Sequence, residues 1–145
     1  MNIRDATRED AVYVGANLRE PDRIELALLG RDASDVVVSF DASDVARTIE
    51  HDGKPVAVFG RVMRDTGGAF VWLLATSGLD SVRRGFVLAC KPEIGRLRFG
   101  CDRLVNITHR DNATVLRWLA WLGFHVEQKP CGPGDEFVMF WMPGA

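Results

Sequence analysis

Glu50 and His51 are adjacent side chains of types that take up protons near neutral pH, and they close an alternating run just before Asp52-Gly53. They are the candidates for a general base. The plainer reading is a solvated hairpin end, since neither has a visible partner in the sequence. His109-Arg110-Asp111 also invites a catalytic reading, but its plainer role is a strand-to-helix corner with Asp111 as the cap and Asn106 bonding across a strand edge. His51, His109 and His125 lack metal-ligand spacing, and no G-x-S-x-G elbow occurs. Trp118 and Trp121 lie three apart, and with Trp141 they are candidates for an apolar contact surface, core packing being the alternative. Arg83, Arg84, Arg96, Arg98 and Arg103 concentrate positive charge, which suits an acidic partner or nucleic-acid phosphates if it is not simply a solvated helix face.

The elements that must position these residues can be read in order. Asn2 to Ala6 is a short strand. Thr7, with Asp10 three residues on, starts a helix from Arg8 to Leu18. Glu20-Pro21 ends it, and Asp22 to Leu29 is a second helix closed by Gly30. Asp32 to Ala42 has helix-start chemistry followed by the strand-like VVVSF, and is assigned as helix. Val45–His51, Pro55–Val62 and Phe70–Ala75 form an antiparallel meander turning at Asp52-Gly53 and Thr66-Gly67-Gly68. Asp80 or Ser81 caps a helix to about Phe99 that Pro92 and Gly95 interrupt. Arg103–Thr108 is a strand. Asp111 caps an apolar helix that ends at Gly123, and little of that helix looks solvated. Phe124 to Gln128 and Glu136 to Met142 are the last strands.

The 145 residues suit one domain, 1–145, able to bury a core without disulfides. Cys90, Cys101 and Cys131 are odd in number and lack C-x-x-C spacing, which fits a reduced compartment. A net charge of −2 gives no global attraction to nucleic acid or anionic membrane. The charged MNIRDATRED start has no signal-peptide core, and no apolar run approaches the roughly 18 residues of a membrane span. The expectation is a chain made in a cytoplasm, without a membrane anchor.

The element order, with Asn112, Leu119 and Gly123-Phe124 on the last helix, resembles the GNAT acyltransferase fold. The resemblance implies an α/β (α+β) architecture: a mixed, mostly antiparallel sheet of six to seven strands with helices on both faces. It implies acetyl-CoA as the donor for an active enzyme. Leu74, Thr76, Arg83, Arg84, Gly85 and Asn112 would then contact the cofactor. The family's diphosphate loop, an Arg/Gln-x-x-Gly-x-Gly/Ala frame, falls on Thr76–Gly85, where the Gly-x-Gly/Ala ending is missing and Asp80 adds negative charge. The family's Tyr acid falls on Leu119, which carries no proton. A second resemblance is to the phage GNAT-like family of the podophage internal virion protein A type. It is carried by IRDATREDAVYVGANLREPDRIEL, VWLLATSGLDSV, LVNITHRDNATVLRWLAWLGF and KPCGPGDEFVMF. This resemblance implies a bacteriophage virion or assembly protein without efficient catalysis and without a bound cofactor. Its location would be the virion and host cytoplasm, and its partners other phage structural proteins and packaged DNA. The alternative is an active acyl-CoA-dependent N-acetyltransferase on a host or phage amine. A groove open between the fourth and fifth strands, not filled by Trp72 or Trp118, would favour the enzyme.

Overall fold

In the computed structural model, which describes residues 1–145, Thr7 starts the first helix as its chemistry requires. Its hydroxyl accepts from the Asp10 amide at 3.2 Å, and the Asp10 carboxylate accepts back from the Thr7 amide at 2.9 Å. This reciprocal box satisfies two amides that a helix end leaves unpaired. The elements are β1 Asn2–Asp5, α1 Arg8–Ala16, α2 Glu20–Leu28, α3 Asp35–Ala42, β2 Val45–His51, β3 Lys54–Met63 and β4 Ala69–Ala75. They continue with α4 Arg83–Arg98, β5 Arg103–His109, α5 Ala113–Leu122, β6 His125–Cys131 and β7 Phe137–Pro143.

One seven-stranded sheet runs β1-β2-β3-β4-β5-β7-β6. Every neighbouring pair is antiparallel except β4–β5. Helices α1 to α3 cover one face of the β1–β4 half, burying Val14, Leu26, Val36, Val58 and Leu74 together. Helices α4 and α5 cover the other face, over Ile49, Phe59, Leu97, Leu104, Leu119 and Phe140. The mixed, mostly antiparallel sheet with helices on both faces is the predicted α+β architecture.

Charged groups fasten the layers. Asp10 is buried and accepts from Arg4 at 2.6 and 3.0 Å, from the Thr7 amide and from Thr48 at 2.8 Å. Burial pushes its carboxyl up, but these donors outweigh it and hold it at about 2. Arg61 closes the far end of α4: it donates to the Leu97 and Phe99 carbonyls and is held by Asp44 at 3.0 Å. A guanidinium there matches both the orphan carbonyls and the negative end of the helix dipole.

Several local readings are corrected. Pro21 helps to open α2, which starts at Glu20, because a first-turn proline forfeits only an amide that has no helical partner. Pro92 does not interrupt α4, which is continuous from Arg83 to Arg98. Pro92 sits on the solvent side, where water can reach the carbonyl it leaves unpaired. Neither Asp80 nor Ser81 caps that helix. Thr76 accepts from the Gly78 amide at 3.1 Å and starts a 3-10 turn, Ser77–Val82, that runs into α4. Asn112, one residue after Asp111, caps α5 by accepting from the Val115 amide at 3.2 Å. Half of α5 faces solvent, with Thr114, Arg117 and Trp121 exposed, so its buried stripe is narrower than the sequence suggests. Gly123 ends it at φ 103, the left-handed region that glycine enters without strain.

Candidate active site

The two parallel strands at the centre of the sheet part almost as soon as they meet. β4 and β5 pair only at Ala69–Leu104 and Phe70–Val105. The next rung is a side chain: Asn106 Nδ2 donates to the Val71 carbonyl at 2.6 Å, while its Oδ1 accepts from the Ile107 amide at 2.8 Å. A side chain inserted where a backbone should bond wedges the strands apart. At the far end of β4, the α1–α2 connection has taken the open edge. The Arg19 amide donates to the Ala75 carbonyl at 2.9 Å, and the Ala75 amide donates to Asp22 Oδ2 at 2.8 Å. Strand alternation points the Leu73 N–H and C=O the same way, into the gap between these two fastenings. Asn106→Ala is expected to leave the Val71 carbonyl unpaired and cost about 1–3 kcal/mol, read by denaturant unfolding.

Two carboxylates lie at the end of this gap. Asp22 and Glu25 are three apart on α2 and so share a face. Asp22 sits 3.0 Å from Arg19 Nε, yet burial still raises its carboxyl above the ordinary range, against the pull of Arg19 and the Ala75 amide. Burial also raises Glu25, and the Asp22 charge adds to the effect. His109, the Thr108 hydroxyl and Arg19 oppose it. His109 Nδ1 accepts from the Asp111 amide at 3.1 Å, which assigns the proton of its neutral ring to Nε2. A desolvated carboxylate beside a second acid is more basic than an exposed one and is chemically suited to take a proton from an amine. Sequence reasoning missed both acids. The i, i+3 spacing after Pro21 was the available signal, and it reads equally well as ordinary first-turn acid.

A central parallel pair that opens into a cleft, between a helix pair on one face and a helical cap on the other, decides the architecture. This is the GNAT acyltransferase fold. Crystal structures that share it include the ribosomal-protein-alanine N-acetyltransferase from Brucella melitensis, at 16% identity over 99% of each chain and a TM-score of 0.65. The ribosomal-protein-S18-alanine N-acetyltransferase from Escherichia coli matches at 13% identity over 99% of this chain and 94% of that one, with a TM-score of 0.65. A GNAT superfamily phosphinothricin acetyltransferase from Sinorhizobium meliloti, in complex with AcCoA, matches at 12% identity over 99% and 88%, with a TM-score of 0.69. At such identities the likeness is one of fold. No protein-family model and no curated protein matches the chain, so the phage resemblance gains no support.

The GNAT frame places the residues singled out in the sequence. Glu50 and His51 are not at the cleft. Glu50 accepts from Arg4 at 2.9 Å, and His51 lies 3.4 Å from Asp52 at the hairpin end. Both sit on β2, which β3 separates from β4, so they lie two strands to the side of the splay. Leu74 points into the α1–α3 core and its backbone polar groups face β3, so it does not line the cleft. Asn112 is committed to its cap. Trp72 turns away and donates to Ser43 at 2.8 Å. Trp118 stacks on Phe86 at 5.4 Å and closes the outer seam between α4 and α5. Trp121 is exposed on α5 beneath Lys91, at 4.4 Å. Trp141 lies on the opposite face of β7 from Phe140 and Met142, which pack under α5, so it shares no patch with Trp121. It donates to Glu127 at 3.0 Å and lies 4.2 Å from Arg103. The arginine set is largely engaged: Arg83 with Asp80, Arg96 with Glu93, and Arg98 with the Pro143 carbonyl. No helix is long and apolar enough to cross a membrane.

The fit to acyl-CoA is uneven along its length. The cleft edge at Leu73 offers one N–H and one C=O to an amide-bearing arm. Between that edge, α4 and α5 lies an apolar cavity of about 90 Å³ that Leu119 also lines. The diphosphate position lacks the backbone cradle of the fold. The Gly78 amide is already bound to Thr76, and a Cβ on Gly78 would come within 2.8 Å of Val56, so this glycine serves packing. A Cβ on Gly85 would meet the Met1 side chain at 3.5 Å, an ordinary contact, so nothing there requires a glycine. What remains there for an anion is a shallow surface depression lined by Arg84 and by Arg83, the latter paired with Asp80 at 3.0 Å.

Proposed function

We propose that this protein is an acyl-thioester-dependent N-acyltransferase that uses Glu25 as its general base, with an acyl-CoA as the donor class. The observation that carries this reading is the β4–β5 gap, held open by Asn106, with Leu73 backbone groups on one side and the raised Glu25 carboxyl at its end. Acyl-CoA supplies an activated thioester, so that an N–C bond forms with the acceptor amine as the C–S bond breaks. Leu73 orients the donor arm by backbone hydrogen bonding. Glu25 receives the amine proton, and Asp22 keeps Glu25 basic through like charge. Arg83 and Arg84 meet the donor phosphates as point charges instead of through a backbone cradle. Leu119 offers no proton at the leaving sulfur. None is required near neutral pH, because a thiol of pKa about 8.5 departs readily as the thiolate.

Calorimetry with acetyl-CoA tests the reading, and binding with a Kd below about 1 mM is expected. No heat at millimolar ligand would remove it. A scaffold role in a phage particle is a second reading, motivated by a different observation: the buried Leu119 stands at the position of the family's Tyr, and Trp118 closes the seam above it. That role requires the polypeptide in purified particles or assembly intermediates, which mass spectrometry would detect.

A further inference from the structure

The apolar cavity is longer than an acetyl group needs. It begins at Leu73 and Leu119 beside the cleft and is lined as far as Ile49 on β2 and Ile3 on β1, running beneath Cys90 and Ile94 of α4. Three strand spacings separate β4 from β1, about 14 Å. A cavity of about 90 Å³ whose lining extends that far suits a chain laid along the sheet. Fifteen of its sixteen lining residues are hydrophobic. The exception, Glu93, is held by Arg47 and Arg96, each at 3.3 Å, so no unpaired cation is present to receive an anionic head group. Water is a poor occupant, because it needs two to four polar partners. The Cys90 thiol is committed to the Phe86 carbonyl, and burial pushes it up to about 11. The neutral indole N–H of Trp118, buried without a partner, is a single donor.

Resting on the acyltransferase reading, we infer that the preferred acyl group is a linear apolar chain of about six to eight carbons lodged under α4. The volume sets the direction: about 90 Å³ is several times the roughly 10–15 Å³ that a single water needs, so the cavity accepts a chain longer than acetyl. The thioester carbonyl then lies at Leu73 beside the cleft, where the amine attacks. The atoms balance as in any acyl transfer: the N–C bond replaces the C–S bond, the amine proton goes to Glu25, and the thiolate leaves. The alkyl tail takes no part in the bond changes and supplies binding alone.

The test is a calorimetric series of acetyl-, butyryl-, hexanoyl-, octanoyl- and dodecanoyl-CoA on the full chain. Each added methylene is expected to tighten binding about three- to fourfold as far as octanoyl, with no further gain at dodecanoyl. Ile94→Phe and, as a milder filling of the same channel, Cys90→Leu are expected to lower the octanoyl-to-acetyl affinity ratio at least about tenfold. Equal affinity for acetyl- and octanoyl-CoA would overturn the chain-length inference and leave the acyltransferase reading standing. So would an unchanged ratio in both folded variants. If no CoA thioester of any length binds, both fall together.

Discussion

Glu25→Gln is expected to lower amine acylation by about 10²–10⁴-fold, the usual contribution of a positioned base. It is also expected to raise the thermal midpoint at pH 8. The two effects have one cause. Burial, reinforced by Asp22, raises the Glu25 carboxyl, so the folded protein holds its proton more tightly than the unfolded chain does. The contribution to stability is therefore fully present below the ordinary glutamate range and is lost as the pH climbs through the raised folded value. Above the raised folded value the wild-type carboxylate is ionised in a desolvated site, and the glutamine is not. A pH–rate profile and a melting curve read both outcomes. Wild-type activity in the variant would remove Glu25 from the mechanism. A lower midpoint with unchanged rate would make it a structural residue only.

The opposite pH behaviour is expected at Asp10. Asp10→Ala removes the acceptor shared by Arg4, Thr7 and Thr48, leaving Arg4 its Glu50 and Asp5 contacts alone and the buried Thr48 hydroxyl unanswered. The expected loss is about 3 kcal/mol, a fall of about 10 °C in midpoint for a chain of this size. Because the folded carboxyl is held at about 2, its contribution is present above the ordinary aspartate range near 3.8 and is lost as the pH falls toward 2. Urea titrations at pH 7 and pH 2.5 check it. The gap between wild type and variant narrows at the lower pH, and a gap that stays constant would mean that the carboxylate charge contributes nothing.

The sequence revealed most where physics is local. Thr7 and Asp10 are three residues apart, Gly123 needs only its own backbone freedom, and the meander is written in two turns and alternating strands. Asn106 was readable because a polar side chain in a buried strand must find a partner. The site acids were not, because Asp22 meets β4 at Ala75, fifty-three positions away, and only the sheet order brings them together. Glu50 and His51 misled for the complementary reason: their types suit catalysis, but β2 carries them two strands from the cleft. Trp118 and Trp121 were grouped by spacing, although one lies in a seam and the other in solvent. The missing hydroxyl at Leu119 was legible, and so was the degenerate Thr76–Gly85 loop. The cavity beneath α4 was not, since five strands and two helices must converge to line it.

The thin β4–β5 seam also bears on how the molecule breathes. Its two backbone pairings and one asparagine amide join a β1–β4 half with its own helical cap to a β5–β7 half under α5. In hydrogen-exchange terms the amides along the seam are expected to exchange through a sub-global opening below the free energy of complete unfolding. The core under α4 and α5 spans the seam, from Ile49 and Phe59 to Leu104 and Phe140, so such an opening loosens the walls of the channel at the same time. A flexible ligand then enters through motion of the protein, and its residence time is set by the seam more than by the side chains it touches.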